Sequence, residues 1–142
     1  MNAVSTSYIE VENLSRDYVQ GETIVHALSS ISLTFNRGEF GALVGPSGSG
    51  KSTLLNCMGA LDKPSEGKVS IDGQDITGLT GNKLSDFRLQ NIGFVFQAYN
   101  LVPVLTAYEN VEYILLLQGM NAQQQHALAS LLKEICEESL TL

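Results

Sequence analysis

An α/β fold centred on a strand–loop–helix unit is predicted by three features of the 142-residue sequence. The first is the octet Gly45-Pro46-Ser47-Gly48-Ser49-Gly50-Lys51-Ser52, of the form G-x-x-x-x-G-K-[ST]. The second is the apolar run before it, Phe40-Gly41-Ala42-Leu43-Val44, which reads as a short buried parallel strand. The third is Ser52–Met58 after it, which reads as a helix with an apolar face. In that setting the glycines let backbone N–H groups turn inward around a triphosphate. Lys51 places a point charge at the outer phosphates, and the Ser52 hydroxyl can ligate Mg²⁺. The following helix aims its positive end at the same anion. A plain Gly/Ser-rich surface loop is the competing reading, and the flanking strand and helix argue against it.

The remaining elements follow in chain order. Tyr8–Glu12 alternates polar and apolar residues, as a half-exposed strand does. Ile24–Phe35 is a second β-rich stretch, with Ile31 and Leu33 on one face and Phe35 continuing it. Gly38 closes a turn before the loop-bearing strand. Gly67–Gly73 is a short strand running into an Asp72-Gly73 turn. Lys83–Gln90 is a short helix, and Ile92–Phe96 is a second buried strand. Thr106–Gln118 is the strongest helix: Thr106 is a good N-cap and Glu109, three residues on, completes a capping box. Asn121 caps the last helix, along which Leu128, Leu131, Leu132, Ile135 and Cys136 recur at helical spacing as a core stripe. Gln123–Gln125 is a solvated face of that helix. Glu137 and Glu138 near its end oppose the helix dipole by a few tenths of a kcal/mol each.

Composition bounds the partners. A chain of 142 residues is one domain or part of one, and 44% hydrophobic content supports a packed core. Charged residues at 16% do not suit a disordered chain. A net charge of −7, from 15 acidic and 8 basic residues, argues against a nucleic-acid partner gripped by a broad basic face. It does not exclude a nucleotide, because the octet supplies its own positive potential. Cys57 and Cys136 follow no metal or redox spacing and read as buried thiols in a reducing compartment. Met1–Ser5 has neither the basic nor the apolar region of a signal peptide. The apolar run at Ile114–Leu117 is far too short to span a bilayer. A cytoplasmic protein is expected, one able to dock on a membrane protein.

Three further features narrow the reading. Tyr18, in the run Val11–Tyr18, stands 33 residues before Lys51. Gln97 ends the run Ile92–Phe96. Gly93-Phe94-Val95-Phe96-Gln97-Ala98-Tyr99-Asn100-Leu101-Val102-Pro103 then leads into Leu105-Thr106-Ala107 and Glu109-Asn110-Val111. Together these closely resemble the nucleotide-binding domain of ATP-binding cassette (ABC) transporters, nearest to the branch serving lipoprotein release and macrolide export. The match runs over about residues 8–119, with 120–142 as the start of a helical subdomain. The fold this implies is a P-loop NTPase core with an N-terminal antiparallel β subdomain and an incomplete helical subdomain.

The resemblance also implies roles. Tyr18 would be the aromatic residue that stacks on adenine. Gly45, Pro46, Ser47, Gly48, Ser49, Gly50, Lys51 and Ser52 would be the Walker A loop, with the Thr53 hydroxyl near the α-phosphate. Gln97 would reach Mg²⁺ or the attacking water, so Lys51 and Gln97 stand as catalytic residues and Ser52 and Gln97 as metal ligands. ATP and Mg²⁺ are the implied cofactors. Tyr99, Leu101 and Val102 would line a groove for a coupling helix of a membrane permease subunit. A second ATP-binding subunit would complete a homodimer, peripheral on the inner face of the cell membrane, with no nucleic-acid partner.

The departures matter as much. Family members hydrolyse ATP with a Leu-Ser-Gly-Gly-Gln signature and an apolar strand ending in Asp-Glu. Neither occurs among these residues: Val69–Asp72 ends in a hairpin turn, and Ile114–Leu117 is followed by Gln118. His26 and His126 do not match the family's switch histidine and read as ordinary surface residues. A truncated domain is therefore expected, one that binds ATP and hardly turns it over, with apolar faces left uncovered. The alternatives are a non-catalytic, permease-docking remnant and a small P-loop kinase, the latter lacking a visible second pocket and catalytic acid.

Overall fold

A computed structural model describes residues 7–98 and 100–139, with side-chain surroundings up to residue 132. The chain divides into two compact units at Ile92/Gly93. The first carries β1 (Ser7–Gln20), β2 (Thr23–Asn36), α1 (Lys51–Met58), β3 (Glu66–Ile71), β4 (Gln74–Asp75) and α2 (Gly81–Asn91). The second carries α3 (Ala107–Leu117) and α4 (Ala122–Ser139).

The four strands form one antiparallel sheet in the order β2-β1-β3-β4. Two tight turns set its registers. Gln20 pairs with Thr23 across Gly21-Glu22, and Gly21 at the first central position has φ +62°, as a type II′ turn requires. Ile71 pairs with Gln74 across Asp72-Gly73, both at positive φ, which is the type I′ geometry expected of an Asp-Gly pair. Along β2, Ile31, Leu33 and Phe35 are partly buried while Ser32 and Thr34 are exposed, so the expected face holds.

β1 contains an irregularity that its sequence does not announce. Val11 and Leu14 are both buried, yet three residues apart they would point to opposite faces of a regular strand. A bulge reconciles them: Asn13 has φ +48°, and the register slips between Val11 and Leu14 toward β2 and between Glu12 and Ser15 toward β3. Gly67 sits directly under the bulge, at φ +84°. A Cβ there would lie 2.4 Å from the Asn13 carbonyl oxygen.

The core fills the space between sheet and helices. Val11, Leu14, Leu28, Val69 and Ile71 from the sheet meet Leu54, Cys57 and Met58 of α1, with Ile76 and Phe87 closing the cluster. Leu14, Val69 and Cys57 are buried most completely. Cys57 is a free thiol, and burial pushes its pKa up, with the charge of Asp62 adding to the effect.

Two expected strands are not formed. Phe40–Val44 pairs with no strand among the described residues, and Phe40 and Val44 are 97% and 93% exposed. Ile92–Phe96 is likewise unpaired; Phe94, Val95 and Phe96 are exposed, the two phenylalanine rings stacking on each other at 5.7 Å. A buried parallel strand exists only as a middle rung, hydrogen-bonded along both edges and covered on both faces. Every strand pairing among the described residues is antiparallel, so apolar character alone does not bury these runs.

In the second unit α3 begins as expected. Thr106 Oγ1 accepts from the Glu109 N–H at 3.2 Å, and Glu109 Oε2 accepts from the Thr106 N–H at 2.7 Å, a complete capping box. α3 ends in a Schellman motif: Gly119 has φ +80°, its N–H donates to Leu116 O, and the Met120 N–H donates to Leu115 O. Asn121 caps α4, accepting from the Gln124 N–H at 3.0 Å while Gln124 returns a bond to the Asn121 N–H. The expected α4 core stripe holds only in part. Ala129 is buried and Leu128 half-buried, but Leu131 and Leu132 are 50% and 38% exposed. Packing on the single helix α3 covers a line along α4 narrower than its apolar face. Ile135, Cys136, Glu137 and Glu138 lie beyond the side chains described, as Met1–Ser5 lies outside the described residues.

Candidate functional site

The octet forms a compact cradle on the first unit. Gly48 and Gly50 adopt φ +79° and +84°, and Gly50 is the N-cap of α1. Positive-φ glycines alternating with Ser47 and Ser49 are the pattern from which anion nests are built, and the Ser49 N–H donates to Pro46 O at 3.3 Å, closing the turn of the loop. The cradle is keyed to the sheet, because a Cβ on Gly50 would meet Ala27 O of β2 at 2.6 Å and Leu28 Cδ2 at 3.0 Å. Within it, a Cβ on Gly45 would meet Ser49 Oγ at 2.9 Å, while Gly48 has nothing within 4 Å and faces open space.

Lys51 opens α1 and folds back over the loop. Its Nζ donates to Gly45 O at 2.9 Å, Pro46 O at 2.7 Å and Ser49 Oγ at 3.3 Å. All three ammonium donors thus point into the loop's own rim, at the place where phosphate oxygens would be met. The hollow beside it measures about 300 Å³ and is lined by Ser47–Thr53 together with Val25, His26 and Ala27 of β2. Ser52 is exposed at its mouth and its hydroxyl has no partner among the described residues, while Thr53 is half-buried in its wall. α1 has no acidic residue in its first turn, so no side-chain carboxylate competes with an incoming anion for its positive end. These groups suit a polyphosphate with a hard divalent cation: a nest of N–H donors, one ammonium and one hydroxyl oxygen.

Tyr18 lies on β1 opposite Val25, whose residue lines the hollow. Its hydroxyl donates to Asp62 Oδ2 at 2.6 Å, and the Arg16 guanidinium lies 4.5 Å over its ring. Arg16 grips both oxygens of the same carboxylate, through Nε at 3.0 Å and Nη2 at 2.8 Å. Burial opposes ionisation of Asp62, but the bonds from Tyr18 and Arg16, the Arg16 charge and the Lys63 N–H outweigh it and hold this carboxyl below the usual range. A carboxyl depressed on folding stabilises the fold above its unfolded pKa, about 3.9, and loses that contribution as pH falls through the folded value. Asp62→Asn is accordingly expected to lower stability at pH 7 by about 1–2 kcal/mol, the range for charge-assisted hydrogen bonds at a half-buried site. The difference from wild type should close below about pH 4, as thermal melts across pH will read.

Gln97 belongs to the second unit, exposed in a bend after Phe96. Leu101 and Val102 after it are exposed, with Asn110 tying the segment to α3 through bonds to the Val102 N–H and Leu105 O. Tyr99 lies outside the described residues. Sequence reading passed over three residues here. His26 lines the hollow and bonds Asp17 at 2.8 Å across the hairpin, and Arg16 and Asp62 surround Tyr18. Recognising Gly21-Glu22 as a two-residue turn would have located His26, since that register sets Asp17 against His26 and Tyr18 against Val25. Asp62 is brought in from 44 residues away, and no local pattern signals it.

Known proteins resemble this chain over most of its length. A family model described as ABC transporter matches residues 28–140. An uncharacterized ABC transporter ATP-binding protein, MJ0796 of Methanocaldococcus jannaschii, is 48% identical over 114 residues, covering 80% of this chain and 48% of the relative. The macrolide export ATP-binding/permease protein MacB of Mannheimia succiniciproducens is 44% identical over 128 residues, covering 89% of this chain and 20% of MacB. The chain thus spans about half the length of the first and a fifth of the second. A solved dimeric structure of the MJ0796 ATP-binding cassette, in a post-hydrolysis state with ADP and Pi, superposes with a TM-score of 0.80 at 44% identity, over 85% of this chain and 53% of that one. The expected P-loop α/β architecture is therefore upheld, in incomplete form, despite its two unpaired strand runs.

Proposed function

The chain belongs to the ABC transporter family, and from that premise we propose that it holds ATP and Mg²⁺ as the nucleotide-binding part of a transporter that couples ATP to export through a membrane permease. The geometry of the octet carries this reading: two glycines at positive φ, a lysine directed into the loop and an α1 N-terminus free of acidic residues. Lys51 would bind the outer phosphates, Thr53 the α-phosphate and Tyr18 the base, with Ser52 as a donor to Mg²⁺ and Gln97 in the catalytic role that the family resemblance implies. The bound cation would neutralise charge developing on the phosphates.

A like subunit and a permease are the proposed partners. The solved relative is dimeric, and MacB is named for both ATP-binding and permease roles. Exposed Leu101 and Val102 suit an apolar contact with the permease. No described helix is long and apolar enough to cross a membrane, and the proposed site of action is the inner face of the cell membrane. The 142 residues contain neither Leu-Ser-Gly-Gly-Gln nor an apolar strand ending in Asp-Glu, so this chain by itself should bind ATP without efficient hydrolysis.

Calorimetric titration with ATP and Mg²⁺, paired with a phosphate-release assay, tests both halves. Saturable, Mg²⁺-strengthened binding with release near the buffer background is the expected result. Folded chain that fails to bind ATP would overturn the assignment of the loop. Turnover of 1 s⁻¹ or more, on the order of an ordinary enzyme, would overturn the claim that catalysis needs residues beyond these.

A further inference from the structure

The Arg16–Tyr18–Asp62 cluster has no part in phosphate binding, yet it controls where one aromatic ring can point. A tyrosine on a strand pivots about two side-chain torsions. Here the hydroxyl end is anchored on Asp62 and one face is capped by the Arg16 guanidinium. Asp62 is itself immobilised: Oδ1 accepts from the Lys63 N–H at 2.8 Å, and its own N–H donates to Asn56 O of α1 at 3.1 Å. The ring is thereby referenced to the helix that starts at Lys51, with the Arg16 guanidinium on one of its faces.

We propose that Asp62 and Arg16 are positioning residues that hold the Tyr18 ring ready for the nucleobase, and so set the chain's preference for ATP over a bare polyphosphate. This rests on the reading of Tyr18 as the base-stacking residue. A ring fixed before binding loses less freedom when the base arrives, so the same stacking contact yields more affinity. The contrasting possibility is a simple brace between β1 and residues 62–65, which are also joined by Asp17 N–H to Ser65 Oγ and Ser65 N–H to Ser15 O. A brace affects stability and treats every ligand of the loop alike.

Dissociation constants for ATP and for inorganic tripolyphosphate, both with Mg²⁺, separate the two. In the full chain, Tyr18→Phe keeps the ring and loses the anchor; Asp62→Ala loses the anchor from the other side. Each is expected to weaken ATP about three- to tenfold, less than the full contribution of a charge-assisted hydrogen bond because only its effect on ring placement reaches the ligand, with tripolyphosphate unchanged within about twofold. Removing the Asp62 charge acts on both anions and cancels in their ratio. In a Tyr18→Ala background, Asp62→Ala should leave the ratio where it was. Equal weakening of both ligands, or additive effects of Tyr18→Ala and Asp62→Ala on the ratio, would overturn the proposal. Should Asp62→Ala prove unfolded, Tyr18→Phe decides alone by the same ratio. A Tyr18→Ala ratio equal to wild type would instead overturn the stacking role of Tyr18, a result distinguishable because it appears without touching Asp62.

Discussion

Lys51→Ala is expected to weaken ATP binding about a hundredfold while leaving the melting temperature within a few degrees of wild type. The ammonium is the one side-chain cation of the octet, and its three donors converge on the loop rim. Hydrogen bonds to a charged group contribute about 1.5–3 kcal/mol, and a hundredfold loss corresponds to about 2.8 kcal/mol. The fold should tolerate the change. Gly45 and Pro46 are exposed, so water replaces the lysine at their carbonyls, and alanine favours the first turn of α1. Lys51→Arg should not restore binding, because a planar fork does not fit where a compact ammonium reaches three converging acceptors. Calorimetry gives the affinities, and a melt of each variant shows whether the fold persists. Wild-type affinity in Lys51→Ala would separate the loop from ATP.

Gly67→Ala is expected to be among the most destabilising single-methyl additions the first unit can suffer. Two penalties coincide. A non-glycine residue at φ +84° is strained by about 1–2 kcal/mol, and the new Cβ would lie 2.4 Å from Asn13 O and 2.5 Å from Glu12 O, both backbone atoms that cannot swing aside. Relief would require opening the bulge that brings Leu14 into the core. A loss of about 3 kcal/mol or more follows, equivalent to a fall in melting temperature of roughly 12–24 °C for a unit of this size. Gly21→Ala supplies the control. It bears the same kind of positive φ, with nothing within 4 Å of the added methyl, and should lose only about 1 kcal/mol. Similar losses at both glycines would show that the bulge yields to the clash.

What the chain discloses before folding is its local chemistry. Thr106/Glu109, Asn121, the Asp72-Gly73 turn and the octet each act within a few residues, so the composition of a short window determines them. Phe40–Val44 and Ile92–Phe96 mark the opposite limit. Apolarity records that a segment is suited to burial, but burial needs a partner strand, and none pairs with these runs among the described residues. Leu131 and Leu132 misled for the same reason, since a stripe on a helix does not state how wide its cover will be. Tyr18 and the octet were legible as separate signals. The cluster that fixes Tyr18 was not, because Asp62 reaches it through the turn that ends α1 and through a sheet register that no single window encodes.

The contact of Gly50 with the Ala27 carbonyl has a thermodynamic meaning of its own. It clamps the phosphate end of the cradle to β2, two residues from Val25, the partner of Tyr18 across the hairpin. A nucleotide gripped at both ends on one stiff frame behaves as a chelate: once its phosphates are captured, the base meets its ring at a high effective concentration. Loosening that clamp would weaken neither handhold by itself. It would instead uncouple them, so that ATP would bind little better than the sum of its fragments.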